Sequence, residues 1–207
     1  MSYLAMPKRA GLPLPVKALP IVLLFPALAG CINLGLGNAK TPPALFTLTP
    51  QSAPVDGSTT SGQAQSALSV IEPETAAELA VVRVAVNIDA ARVAYLQKAQ
   101  WVERPARLFQ HLLAETLRAQ GKQLVTEGDR LTHGPILSGR LLDCGYDVQT
   151  GSAVVRFDAI RHNPDGTVVA RRFEASVTHV AARAQDVGPA LNQAANQVAK
   201  SVAEWIG

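Results

Sequence analysis

The chain has 207 residues, of which 48% are hydrophobic and 17% charged, enough for one domain with its own core plus extra segments. Two cysteines and few aromatic residues rule out a disulfide-rich scaffold. Modest charge beside ample apolar content rules out a disordered acidic chain.

Residues 1–30 read as a targeting segment. Lys8, Arg9 and Lys17 form a basic start, and Ala18 to Gly30 follows uncharged and mostly apolar. That run is too short for a bilayer core, which needs about 20 residues. It ends in Leu28-Ala29-Gly30-Cys31, which resembles a bacterial lipobox. In such a signal the Cys31 thiol receives a diacylglyceryl group before cleavage. The plainer alternative is an ordinary secretory signal followed by an unrelated cysteine. Removing residues 1–30 takes away three basic residues and no acidic one, leaving 16 of each. The excess of positive charge therefore belongs to the signal, and nucleic acid is not an expected partner. An acylated Cys31 also leaves Cys144 without a disulfide partner. Cys144 alternates with Leu142 and Tyr146 and reads as a buried small hydrophobe.

Residues 31–43 are rich in Gly, Asn and Pro and read as a flexible tether. Gly35 to Lys40 resembles a phosphate loop only superficially, because neither a strand nor a helix start flanks it. The folded domain is expected over residues 44–207. Ala44 to Pro50 alternates and predicts a first strand. Residues 51–74 are rich in Ser, Thr, Gly, Gln and Pro, which predicts a disordered loop.

Leu79–Val86 is a near-continuous apolar run and predicts a central strand. Arg92–Gln97 predicts another. Pro105 then suits a first helical turn, because it has no N–H to lose. Leu108, Phe109, Leu112, Leu113 and Leu117 form one stripe, and Gly121 can end the helix. The predicted helix is Pro105–Gln120, with Arg107, Gln110, His111, Ala114, Glu115 and Arg118 on its other side. Strands are expected at Gln123–Thr126, Ile136–Val148, Ser152–His162 and Val168–Val180. The turns Gln149-Thr150-Gly151 and Asn163-Pro164-Asp165-Gly166 make the last three a meander. Asp186 is a candidate N-cap for a final helix. Val187, Leu191, Ala194, Ala195, Val198, Val202 and Trp205 trace its apolar stripe. The order predicts an α+β fold, with one mainly antiparallel sheet of about five to six strands and two amphipathic helices on one face.

No motif of a hydrolase, metalloprotease or redox centre is present. The four histidines are scattered, so no metal ligands and no cofactor are expected. Asp143 and Asp147 point the same way from one strand and read as part of a solvated face.

The lipobox, Phe46-x-Leu48-x-Pro50, Arg92-x-x-Tyr95, Trp101-Val102-Glu103-x-Pro105, the Leu112-Leu113-x-x-x-Leu117 stripe, Phe173-Glu174-Ala175 and Ala190-Leu191-Asn192-x-Ala194 together resemble the ABC-type transport auxiliary lipoproteins. Those proteins accompany MCE-type lipid transport systems in Gram-negative envelopes. The resemblance covers roughly residues 44–206 and carries no catalytic residues. Ile32 after Cys31, where an aspartate is the usual inner-membrane retention signal, predicts the periplasmic face of the outer membrane. The resemblance implies a lipid-anchored periplasmic accessory. It also implies docking onto an MCE-domain protein and its ABC permease and ATPase, with a homo-oligomer possible. Cys31 is the expected lipid attachment site. Phe46, Leu48, Pro50 and Trp205 are the expected partner contacts. The competing readings are a periplasmic lipid carrier, a structural envelope lipoprotein and an envelope hydrolase. A carrier needs a continuous apolar cavity of several hundred Å³, and a hydrolase needs a nucleophile constellation.

Overall fold

The structure is a computed structural model that describes residues 44–128 and 133–207. The expected signal and tether lie outside the described residues, and so does Cys31.

The fold is α+β, with two helices and one sheet. Nine strands make that sheet among the described residues. β7 (Ile136–Asp147) is its spine. One edge of β7 pairs along its length with β8 (Ser152–His162), which pairs with β9 (Val168–Val177). The expected meander is therefore present. The other edge takes three strands in turn, each parallel to it: β2 (Leu68–Val70), β3 (Glu74–Thr75) and β4 (Arg83–Asp89). β4 continues antiparallel to β5 (Arg92–Trp101), and β1 (Ala44–Phe46) lies parallel to β5 at the margin. β2 continues to β6 (Val125–Glu127).

The sheet is mixed, not mainly antiparallel, and larger than expected. The cause is chain direction, because β2, β3 and β4 all climb the same side of β7.

Residues 51–74 also correct the sequence reading. Their polar first part has only turns and one 3-10 turn (Ala64–Ser66). Their end holds β2, with Ala67, Leu68 and Val70 buried. A short apolar patch inside a polar window was enough, because strands pair with it on both sides. In Leu79–Val86 the regular strand starts only at Arg83. Leu79 closes a turn onto the Ala76 carbonyl and buries its side chain, so the apolar run divides between turn and strand.

α1 (Pro105–Arg118) and α2 (Ala184–Ile206) cover the dry face of the sheet. Gly121 has φ +64 and follows α1 by three residues, so the helix ends two residues before the expected Gln120. α2 begins before Asp186, which lies in the first turn and pairs with Arg183 at 2.6 Å instead of capping. α1 packs on β2, β6 and α2, so its buried face is wider than one stripe. Gln110 and Ala114 are buried with it, and the Gln110 amide donates to the Val70 carbonyl at 2.8 Å. His111 pairs with Glu127, which Arg118 also grips at 2.7 Å.

Candidate functional site

β1 has one paired edge, toward β5, and one free edge among the described residues. Its side chains explain how it is seated. Phe46 turns inward and meets the Trp101 ring edge-on, with centroids 5.7 Å apart. The same ring rests on α2 at Gly188, where an added Cβ would lie 2.8 Å from the Phe46 ring. Glycine is required there by close approach.

Beyond Phe46 the chain stays tied to α2 by side chains. The Thr49 N–H donates to Asn192 Oδ1 at 2.8 Å, and the Gln51 N–H donates to Asn196 Oδ1 at 2.7 Å. Asn196 Nδ2 donates back to the Thr49 carbonyl at 2.9 Å. Asn192 and Asn196 are one turn apart, so one helix face serves backbone groups two residues apart. These amides tie down the chain beyond β1 and leave the outer edge of Ala44–Phe46 without a strand partner among the described residues.

A surface groove of about 460 Å³ lies between this segment and the first turns of α2. Leu45, Thr47, Gln185, Gly188, Pro189 and Asn192 are among its walls. Leu45 is 65% exposed on the rim. The groove therefore combines an unpaired strand edge, an apolar side chain and polar helix groups.

The expected contact residues fall in two places. Phe46 is buried and lines the groove, Leu48 is buried outside its walls, and Pro50 is half-buried. Trp205 is near the other end of α2, about 25 Å from Gly188 at 1.5 Å per residue. It is half-buried and tilts against Phe173, with centroids 5.7 Å apart. The structure does not bring Trp205 together with the Phe46–Pro50 segment. Trp101 is buried, and its indole N–H has no partner among the described residues.

Asn192 and Asn196 were missed as anchors, since asparagine inside a helix reads as a solvated polar residue. The available signal was their i, i+4 spacing beside the Leu191 and Ala195 stripe.

The opposite, helix-free face of the sheet corrects a second reading. Asp143 and Asp147 do lie on this face together, in regular register from Asp143 onward, but Asn87 of β4 and Arg156 of β8 flank Asp143. Asp143 is not on a freely solvated face: burial pushes its carboxyl up to about 6, against the pull of Arg156 opposite it. Asn87 Nδ2 donates to both Asp143 oxygens, at 3.1 and 3.3 Å. Asp147 and Glu174 push in the same direction as burial.

The folded chain thus binds a proton at Asp143 more readily than the unfolded chain does. Asp143 must therefore cost stability as pH rises from about 4 through about 6. Two pH units correspond to about 3 kcal/mol, which partial solvent access reduces to roughly 1–2 kcal/mol. Asp143→Asn should remove this loss. The stability difference between variant and wild type, from urea titrations, should grow in the variant's favour between pH 4 and pH 7. A constant difference across that range contradicts the assignment.

The histidines have separate surroundings. His162 meets Ser138 at 3.2 Å and His179 meets Thr178 at 3.0 Å, away from the His111 pair. No helix among the described residues is long and apolar enough to cross a membrane.

The fold and the groove define a class: a two-helix, mixed-sheet α+β domain with an open strand edge beside its C-terminal helix. A family model described as the ABC-type transport auxiliary lipoprotein component matches residues 46–203. The chain belongs to that family. Among solved structures it is similar to protein XCC0632 from Xanthomonas campestris, with 18% identity and a TM-score of 0.67. That match covers 79% of this chain and 94% of the other. A second structure, described as an uncharacterized protein, has 14% identity and a TM-score of 0.65, covering 80% of this chain and 99% of that one. At such identities the likeness shows the fold alone. A comparison with curated proteins gave no match.

Proposed function

We propose that this chain is a lipid-anchored periplasmic accessory of an MCE/ABC-type lipid transport system, acting by docking and not by catalysis. The observation that carries the reading is the family match over residues 46–203. The groove beside β1 supports a docking role, because a free edge can accept an extended segment of a partner by main-chain hydrogen bonds. In this reading Phe46, Leu48 and Pro50 hold the edge in place, and Leu45 meets the partner. Trp205 is a second and separate candidate contact, since a half-buried indole can anchor a protein surface. The closely filled dry face speaks against a lipid carrier, because its large side chains already pack against one another.

The anchor is proposed at Cys31, in the periplasmic leaflet of the outer membrane. Ile32 follows it, where an aspartate is the usual inner-membrane retention signal. More than one acyl chain at Cys31 would hold far more firmly than the marginal grip of a single one. Metabolic labelling tests this: the full chain should take up palmitate and sediment with outer membranes, and Cys31→Ser should do neither. A Cys31→Ser chain that still incorporates palmitate overturns the anchor.

A further inference from the structure

β9 is the last strand on its side of the sheet. It pairs with β8 in unbroken register and with nothing else among the described residues. Its free edge is ten residues long, without proline or bulge. An edge of that kind is a template for another chain, and the charges it carries, Arg171, Arg172 and Glu174, restrict it to a partner whose charges match. Of the other sheet margins, β1 and β6 are three residues each. The part of β5 that β1 leaves uncovered, residues 92–98, is irregular, with Lys98 at φ +57 and shifted pairing to β4.

Charge on the helix-free face indicates which chain fits. The register aligns Asp143, Arg156 and Glu174 in one rung across β7, β8 and β9. It aligns Arg140, Asp158 and Arg172 in the other. Signs alternate along each rung and are inverted between the two. The pairs are closed: Arg156 donates to Glu174 at 2.6 Å, and Arg172 donates to Asp158 at 2.6 and 2.8 Å. At the free edge one rung ends negative at Glu174 and the other positive at Arg172.

A second copy can add to this edge antiparallel and related by a two-fold axis. Inward and outward amides alternate along a strand, so opposed residues must share parity, and each allowed register is centred on one residue. Centring on Arg172 sets arginine against arginine. Centring on Glu174 sets glutamate against glutamate. Centring on Phe173 sets Arg172 opposite the partner's Glu174 and Glu174 opposite the partner's Arg172. Both rungs then alternate without a break through two chains. This register also uses nearly the whole strand, since it opposes the exposed Val169 to the partner's Val177. Arg171 falls opposite the partner's Ala175, a small side chain that leaves its guanidinium over the Phe173 ring, 5.0 Å from the centroid.

We propose that the free edge of β9 docks a second copy of this chain, antiparallel and centred on Phe173, with both helix layers on one side of the joined sheet. This self-association does not depend on the transport reading.

The test uses full chains with two different tags, purified in detergent. Arg172→Glu alone and Glu174→Arg alone should each weaken self-capture roughly tenfold or more, because like charges then face each other twice. A mixture of the two variants should recover capture, because each altered residue then faces an opposite charge. Circular dichroism should show both variants folded. A disulfide trap fixes the register: Ala170→Cys in one chain should cross-link to Ser176→Cys in the other, and neither variant should cross-link to itself. Monomeric wild type, variants that self-capture like wild type, failure of the mixture to recover, or self-cross-linking of Ala170→Cys each overturns the proposal. A monomeric chain that still captures an MCE-domain protein removes the dimer and leaves the transport reading standing.

Discussion

Leu112→Ala should lower the unfolding free energy by about 2–5 kcal/mol in a urea titration. Leu112 lies in the shared core at 1% exposure, with Leu113 and Phe109 equally enclosed. Phe109 meets Phe157 of β8 edge-on, with centroids 5.2 Å apart, which fixes the height of α1 above the sheet. Removing the leucine's branch leaves a cavity that close-packed neighbours fill only in part. Arg107→Ala is the control and should change stability by less than about 0.5 kcal/mol. Arg107 reaches Glu103 at 3.3 Å and Glu72 at 3.9 Å, both as half-exposed surface pairs. Equal losses for the two variants would mean that α1 presents a different face to the sheet.

The second large effect is expected at Asn196, which is buried at 5% exposure. Asn196→Ala removes the acceptor for the Gln51 N–H and the donor to the Thr49 carbonyl in one step. Thr49 and Gln51 are themselves exposed, so water can reach the freed groups. Each lost bond then costs only its net contribution of about 0.5–1.5 kcal/mol, and a loss of about 1–3 kcal/mol for the two should appear in the urea titration. A local signature should accompany it. The amides of Thr49 and Gln51 should exchange hydrogen faster, while the amides of β8 keep their protection. Loss of protection throughout the sheet would instead make Asn196 part of the global core.

These two predictions rest on unequal sequence signals. The Leu112 stripe was legible because a helical period kept from Leu108 to Leu117, nearly three turns, has few other readings. The meander was legible for a similar reason: Arg156, Asp158, Arg172 and Glu174 alternate with apolar neighbours between clear turns. β2 was not legible. Leu68, Ser69 and Val70 are too few to show a period, and they become a strand only because β6 and β7 flank them. The parallel climb of β2, β3 and β4 along β7 was hidden too, since strand direction depends on where the intervening chain travels. At Asp143 alternation gave the right face, but it could not show that Asn87 of β4 and Arg156 of β8 crowd that face. The two-asparagine tie under β1 was hidden by its residue type. The site was therefore half readable: Phe46 and Leu48 marked the segment, but what holds it and where Trp205 stands came only with the fold.

The docking account is tested most directly by capturing an MCE-domain protein from membranes solubilised in mild detergent, with the tagged full chain as bait. Leu45 lies on the groove rim and is 65% exposed, so Leu45→Asp should leave the fold and its melting temperature unchanged. The wild-type chain should recover the MCE-domain protein, and Leu45→Asp should reduce that recovery roughly tenfold, the effect of burying an unpaired charge at an interface. Recovery by Leu45→Asp at wild-type yield would contradict docking through this groove, and no recovery by the wild-type chain would contradict the transport role itself.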